Sequence, residues 1–225
     1  MASPLSLLIF SVCFLAYSYA VMVVPLTGND WTISNNQSLS AQGTVPGTIH
    51  TILFAAKLIP DPYFGYNDVS LRYLVYSSWT FRKKFSLTDD FLSLNQFTIY
   101  FDQIDTVANI TLNGCFIGQT KSMFMPYSFN VTRSCLQLNN ELQIDFDSPI
   151  VYAANQAKAY NETVRPECPP AVQHGECHAQ FIRKEMCSFS WDWVRKHLSS
   201  NYGLLILVNS LPLLGSSICS YWYPR

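Results

Sequence analysis

Val107-Ala-Asn-Ile-Thr-Leu-Asn-Gly-Cys-Phe-Ile-Gly-Gln-Thr120 decides the fold class. Ala108, Ile110 and Leu112 alternate with Asn109 and Thr111, which makes the first half a strand with one apolar and one polar face. Asn113-Gly114 suits the two consecutive left-handed residues of a tight hairpin and turns the chain back into a second strand, Cys115–Thr120. Asn109 also opens an Asn-x-Thr sequon. A glycan acceptor has to face solvent, so the polar face is the outer one.

The same period of two recurs on both sides of this hairpin. Trp79–Phe85 alternates bulky and polar residues, and Phe97, Ile99 and Phe101 alternate with Thr98, Tyr100 and Asp102. Tyr127, Phe129 and Val131 alternate with Ser128, Asn130 and Thr132, and Leu142–Phe146 repeats the pattern. A further short strand is expected at Trp31–Ser34. Three helical stretches interrupt the strands. After the turn Val45-Pro46-Gly47, Thr48 caps a helix over 49–58, with Ile49, Ile52, Leu53 and Ala56 on one face and Pro60 and Pro62 behind it. Residues 67–71 form a second and the Ala-rich residues 148–160 a third, followed by a long loop over 161–176. No strand-helix-strand rhythm is present. The chain is therefore mainly β: an antiparallel β-sandwich with short helices.

Composition narrows the function classes. Of 225 residues, 49% are hydrophobic and only 13% charged, the balance of a chain that buries a core. Lys plus Arg total 14 against 15 for Asp plus Glu, so no net field draws nucleic acid or an acidic membrane. Partners must be recognised by shape and hydrogen bonding, and no cofactor motif is present.

Met1–Ala20 carries no charged side chain, has an apolar run from Leu5 to Leu15 and ends on small residues, which reads as a signal peptide removed after Ala20. Four sequons follow, at Asn36, Asn109, Asn130 and Asn161, as expected of a glycoprotein on the secretory route. Removing Cys13 with the signal leaves Cys115, Cys135, Cys168, Cys177, Cys187 and Cys219. Sequence alone does not settle their pairing. The favoured bridge is Cys168–Cys177, across a short Pro- and Gly-containing loop. A zinc site using both with His174 and His178 is the alternative; it lacks the close cysteine pairs of structural zinc sites, and an oxidising compartment favours the disulfide, so no metal is assigned.

Downstream of that loop, Trp191-Asp192-Trp193 places a carboxylate between two indoles. Aspartate accepts hydrogen bonds from sugar hydroxyls, and indole faces cover the C–H surface of a pyranose. Core packing is the plainer account of the tryptophans. Arg183 and Lys184 are expected to form a solvated basic face, Asp145 and Asp147 to share an exposed strand face, and Asp102 and Asp105 receive no role. Past Trp193, Leu204–Val208 and Leu211–Leu214 are apolar but are interrupted by Asn209 and Pro212 and are short for a bilayer. A further buried strand and an unpartnered tail stay open as alternatives, and no membrane span is favoured.

Several runs together resemble one family: Val45-Pro-Gly-Thr-Ile-His-Thr51, Asp61-Pro-Tyr-Phe-Gly-Tyr-Asn-Asp68, Trp79-Thr-Phe81, Phe101-Asp-Gln-Ile-Asp-Thr-Val-Ala108, Leu112-Asn-Gly114 and Phe189-Ser-Trp-Asp-Trp193. In this order, from about Val24 to Trp193, they are similar to the N-terminal part of animal lysosomal β-mannosidases of glycoside hydrolase family 2. The resemblance implies a jelly-roll, galactose-binding-like domain over 21–193, and a divergent tail over 194–225 where members continue with Gly. It implies a retaining exo-glycosidase that removes terminal β-linked mannose from glycoprotein-derived oligosaccharides, with Trp191, Asp192 and Trp193 contacting the mannoside. It also implies that Cys168–Cys177 staples the loop and that the protein is lysosomal; a monomer is expected. The family's two catalytic glutamates lie in a (β/α)₈ barrel of about 250 residues, whereas only residues 194–225 follow Trp193. The expectation is a truncated form, inactive by itself, with a lectin-like mannoside-binding module and a non-functional splice product as the alternatives.

Overall fold

The computed structural model describes residues 22–160 and 176–185 and the backbone of 204–209. Its strands are β1 (Val23–Val24), β2 (Gly28–Asn35), β3 (Ser40–Val45), β4 (Trp79–Ser86), β5 (Phe97–Ile104), β6 (Ala108–Leu112), β7 (Cys115–Thr120), β8 (Tyr127–Val131), β9 (Asn139–Phe146) and β10 (Leu204–Asn209). The helices are α1 (Ile49–Ala55), α2 (Asn67–Ser70), α3 (Tyr73–Tyr76), α4 (Asp89–Leu92) and α5 (Pro149–Tyr160). One sheet has the order β3-β2-β4-β9-β6-β7 and the other β1-β10-β5-β8. Every pairing between these strands is antiparallel.

The strand alternation maps onto two layers. Trp31, Ile33, Phe81, Ile110, Ile144 and Phe146 of the six-stranded sheet are buried, as are Phe97, Ile99, Phe101 and Val131 of the facing sheet. All belong to one apolar cluster. Edge-on aromatic contacts run through it, Trp31 to Phe81 at 6.5 Å and Phe81 to Phe146 at 5.3 Å between centroids. Both buried indoles satisfy their N–H on backbone carbonyls, Trp31 on Leu26 at 2.7 Å and Trp79 on Leu74 at 2.9 Å. At Gly118 the two sheets approach closely, since a Cβ there would meet the Phe129 ring at 2.2 Å.

The hairpin turn forms as expected, with φ of 51° at Asn113 and 81° at Gly114. Thr48 caps α1 through a reciprocal box with Thr51. The helix buries Ile49, Ile52 and Leu53 but stops at Ala55, so Ala56 is exposed rather than on the packed face. β3 was not anticipated, because Ser40-Ala-Gln-Gly-Thr-Val45 has few strand-forming side chains; its alternate residues Ala41, Gly43 and Val45 are nonetheless the buried ones. Lys83 lies on the inward face of β4 and reaches the Asp30 carboxylate at the rim. That contact holds the Asp30 carboxyl below the usual carboxylate range. Cys115 is bonded to Cys135, 20 residues on, a pairing the sequence left open.

The apolar run at 204–208 resolves as a strand. β10 lies between β1 and β5, with Leu207 opposite Tyr100, Val208 opposite Ile99 and Asn209 opposite Val23. Among the described residues no helix is long and apolar enough to cross a membrane.

Candidate functional site

The segment that leads toward Trp191 is clamped to one end of the sandwich. A short 3₁₀ turn, Ala179–Phe181, opens it. Ala179 and Ile182 pack with Val75 of α3, Val107 before β6, and Ile150 and Ala153 of α5 in a second small apolar cluster. Ahead of the turn, Glu176 accepts from the Arg72 guanidinium and from the Tyr76 hydroxyl at 3.0 and 2.9 Å. Beyond it, Arg183 pairs with Ser122 in a parallel bridge, and the Met123 amide donates to the Arg183 carbonyl at 3.0 Å.

The 121–126 loop that receives this segment is itself braced. Tyr127 accepts from the amides of Lys121 and Ser122 at 3.0 and 2.8 Å, and its hydroxyl donates to the Ser122 carbonyl at 3.0 Å. Phe124 stays exposed, with the Arg183 guanidinium 6.0 Å over its ring.

At the centre, Lys184 donates to Asp105, and both side chains are only 2% exposed. The Thr106 hydroxyl also donates to Asp105, and Thr120 Oγ1 donates to the Thr106 carbonyl at 2.9 Å. Burial pushes the Asp105 carboxyl up, while Lys184 and Thr106 pull against it. His50, near the start of α1, is lowered to about 4 by burial and by the Lys184 charge. Its Nδ1 is buried with no hydrogen-bond partner. The ring is therefore neutral beside an ion pair, with an unsatisfied polar atom facing the interior.

This arrangement corrects two expectations. Lys184 is not part of a solvated basic face: it is buried with Asp105 as its ion-pair partner, while Arg183 beside it is exposed. Asp145 and Asp147 are each only half-exposed. Asp145 accepts from Thr80 at 2.6 Å and from Gln143 at 2.8 Å, and Asp147 lies past the end of β9 with its carboxyl raised by burial and by Asp145. No sequence signal distinguished Asp105 from Asp102; only its position in the turn between β5 and β6, opposite residue 184, does so.

Cys177 is disulfide-bonded, so it offers no thiolate to a zinc ion. Cys168, His174, Asn161, Trp191, Asp192 and Trp193 lie outside the described residues. Of the other sequons, Asn36 and Asn130 are exposed, and Asn109 is half-exposed on the outer face, where it accepts from Gln119 at 3.1 Å. A shallow cleft of about 460 Å³ at the opposite end is lined by Lys84, Phe85, Ser86, Asn113, Asn139, Asn140 and Glu141. Asn113 and Asn140 there bond each other and nearby backbone, so their amides are spent on structure.

Residues 31–204 match the glycosyl hydrolase 2 galactose-binding domain-like family. The chain belongs to that family. It is 41% identical over 83% of its length to "Beta-mannosidase" of Bos taurus, and 44% identical over 72% to that of Rattus norvegicus. The matched part is 21% of the bovine and 19% of the rat protein, so the chain spans about a fifth of these glycosyl hydrolase relatives. The β-D-mannosidase structure from Dictyoglomus thermophilum superposes on 84% of the chain and 22% of that protein, at a TM-score of 0.68 and 29% identity. The galactose-binding-like β-sandwich is thus shared across animal and bacterial family members.

Proposed function

We propose that this chain is the sugar-binding wall of a β-mannosidase-family protein and binds terminal β-D-mannosides through Trp191, Asp192 and Trp193. The observation that carries the reading is the continuous family match over 31–204, which includes those three residues. The clamp on 176–185 adds a physical reason: a binding segment works only if its approach is rigid, and here an ion pair, a bridge and an apolar cluster hold it. Asp192 accepts from sugar hydroxyls while the indoles cover the ring face. Cys168 is the partner of Cys177, stapling the loop between them. The residues assigned here supply one carboxylate where a retaining glycosidase needs two, so the activity proposed for this chain is binding without hydrolysis. It follows the secretory route to the lysosome, as a monomer glycosylated at Asn36, Asn109, Asn130 and Asn161.

The test is titration of the purified chain with mannobiose by calorimetry or protein NMR, beside an assay on a chromogenic β-mannoside. Millimolar binding that Asp192→Ala abolishes, with no turnover, is the expected outcome. Absence of binding refutes the sugar-site assignment, and turnover refutes the inactivity.

A further inference from the structure

The hairpin that decides the fold class also leaves one large apolar side chain in water. Phe116, the second residue of β7, is 67% exposed. Strict alternation would turn it inward, because Gly118 and Thr120 of the same strand are buried. The ladder shifts between Ile110 and Thr111, however: Ile110 is opposite Gly118 while Thr111 is opposite Phe116, which makes Ile117 the extra residue of a bulge. The bulge re-aims Phe116 to the outer face, the face it shares with Thr111 and Asn109.

The surroundings of the ring select its occupant. Asn109 precedes Thr111 by two residues on the same face, a diagonal neighbour of Phe116 at about 7–8 Å. Its Oδ1 accepts from Gln119 Nε2 at 3.1 Å, which orients the amide and leaves Nδ2, the atom that carries an N-glycan, outside that bond. Toward β9 and β4 the outer-face polar groups are spent on one another: Asp145 accepts from Thr80 and Gln143, and Gln143 accepts from Arg82. A diffusing ligand finds few unused hydrogen-bonding groups there. The first N-acetylglucosamine of a glycan on Asn109 needs none, because it arrives tethered beside the ring. Pyranose C–H faces and methyl groups cover aromatic rings well, and a tether keeps even a weak contact filled. β7 is also an edge of the six-stranded sheet, where a covering sugar keeps a second chain from pairing.

We propose that Phe116 is the docking platform for the N-glycan of Asn109, its ring packed against the C–H face and N-acetyl methyl of the first N-acetylglucosamine. The inference rests on the proposed glycosylation of Asn109 and is independent of mannoside binding. A glycan held in this way covers the exposed ring and stabilises the hairpin that carries one half of the Cys115–Cys135 bridge.

The experiment expresses the full chain in a eukaryotic secretory host as the parent, Asn109→Gln, Phe116→Ser and the double variant, with occupancy of Asn109 read by peptide mass spectrometry. Asn109 is expected to be occupied. Phe116→Ser should lower the melting temperature by roughly 2–4 °C in the glycosylated chain and leave it unchanged in the Asn109→Gln background. With every glycan trimmed to its first sugar, one N-acetyl methyl proton signal of the parent should lie upfield through the ring current and be absent from Asn109→Gln. That signal is read on the parent, so the test survives a Phe116 variant that does not fold. An empty Asn109 refutes its glycosylation and the docking together. An occupied Asn109 with no upfield methyl, or with a Phe116→Ser effect equal in both backgrounds, overturns the docking alone. A parent that is dimeric in sedimentation and monomeric as Phe116→Ser overturns it in favour of a second copy of the chain.

Discussion

Replacing Lys184 with Met tests whether the clamp is held by the buried ion pair. The methionine keeps most of the apolar stem but leaves the Asp105 carboxylate, 2% exposed, with the Thr106 hydroxyl as its side-chain partner among the described residues. Removing one partner of a buried pair costs about 3–5 kcal/mol, because the remaining charge has lost its counter-ion in a poorly hydrated site. For a domain of this size that corresponds to a fall in Tm of roughly 6–20 °C at pH 7. The Asp105 carboxyl is already pushed up by burial, and without the ammonium it rises further. A raised acid leaves stability intact below its unfolded value near 4 and removes it as pH rises, so the deficit of Lys184→Met should shrink as pH falls from 7 toward 4. The double variant Asp105→Leu/Lys184→Met removes both charges and should recover most of the loss. Urea denaturation of the three proteins at pH 7 and pH 5 reads all of this. A single variant within about 1 kcal/mol of the parent, or a double variant no better than the single, would falsify the account.

His50 predicts a second pH dependence. Its folded value of about 4 lies below the ordinary 6.5, so its contribution is complete above 6.5 and is lost as pH falls through that value toward 4. The loss should reach about 2 kcal/mol by pH 5, and His50→Gln should flatten that part of the stability–pH curve. Replacing Cys115 and Cys135 together by Ala opens a loop with a sequence separation of 20 and should cost about 3 kcal/mol in denaturation without altering the far-ultraviolet spectrum. Ending the chain at Gly203 removes β10 and leaves β5 without the partner of residues 99–104. That variant should bind a hydrophobic dye and aggregate; a sharp, reversible melt of a monomer would count against a structural role for the strand.

How far the fold could be read in advance depended on how strongly each segment advertised a face. β4, β5, β6 and β9 alternate large apolar residues with polar ones, so their inward sides were plain before any contact was known. The strand β3 escaped because burial of Ala41, Gly43 and Val45 needs the neighbouring strand and α1 to supply the volume that these small residues lack. Lys83 shows the opposite failure, a charge at an inward position made tolerable only by Asp30 from the adjacent strand.

The candidate site divides the same way. Trp191-Asp192-Trp193 announces itself in the sequence because carboxylate and indoles are neighbours in the chain, and its sugar chemistry needs no third element to be suspected. The clamp could not be seen there: Asp105 and Lys184 are 79 residues apart, and each alone reads as an ordinary surface charge. The sequence by itself determined the sandwich, its polar outer face and the family, since those rest on local periodicity and on runs of adjacent residues. Only the tertiary structure decided which charges are buried, which cysteines near the hairpin join and where the apolar run at 204–209 belongs, because each follows from a partner that is distant in the chain and present in space.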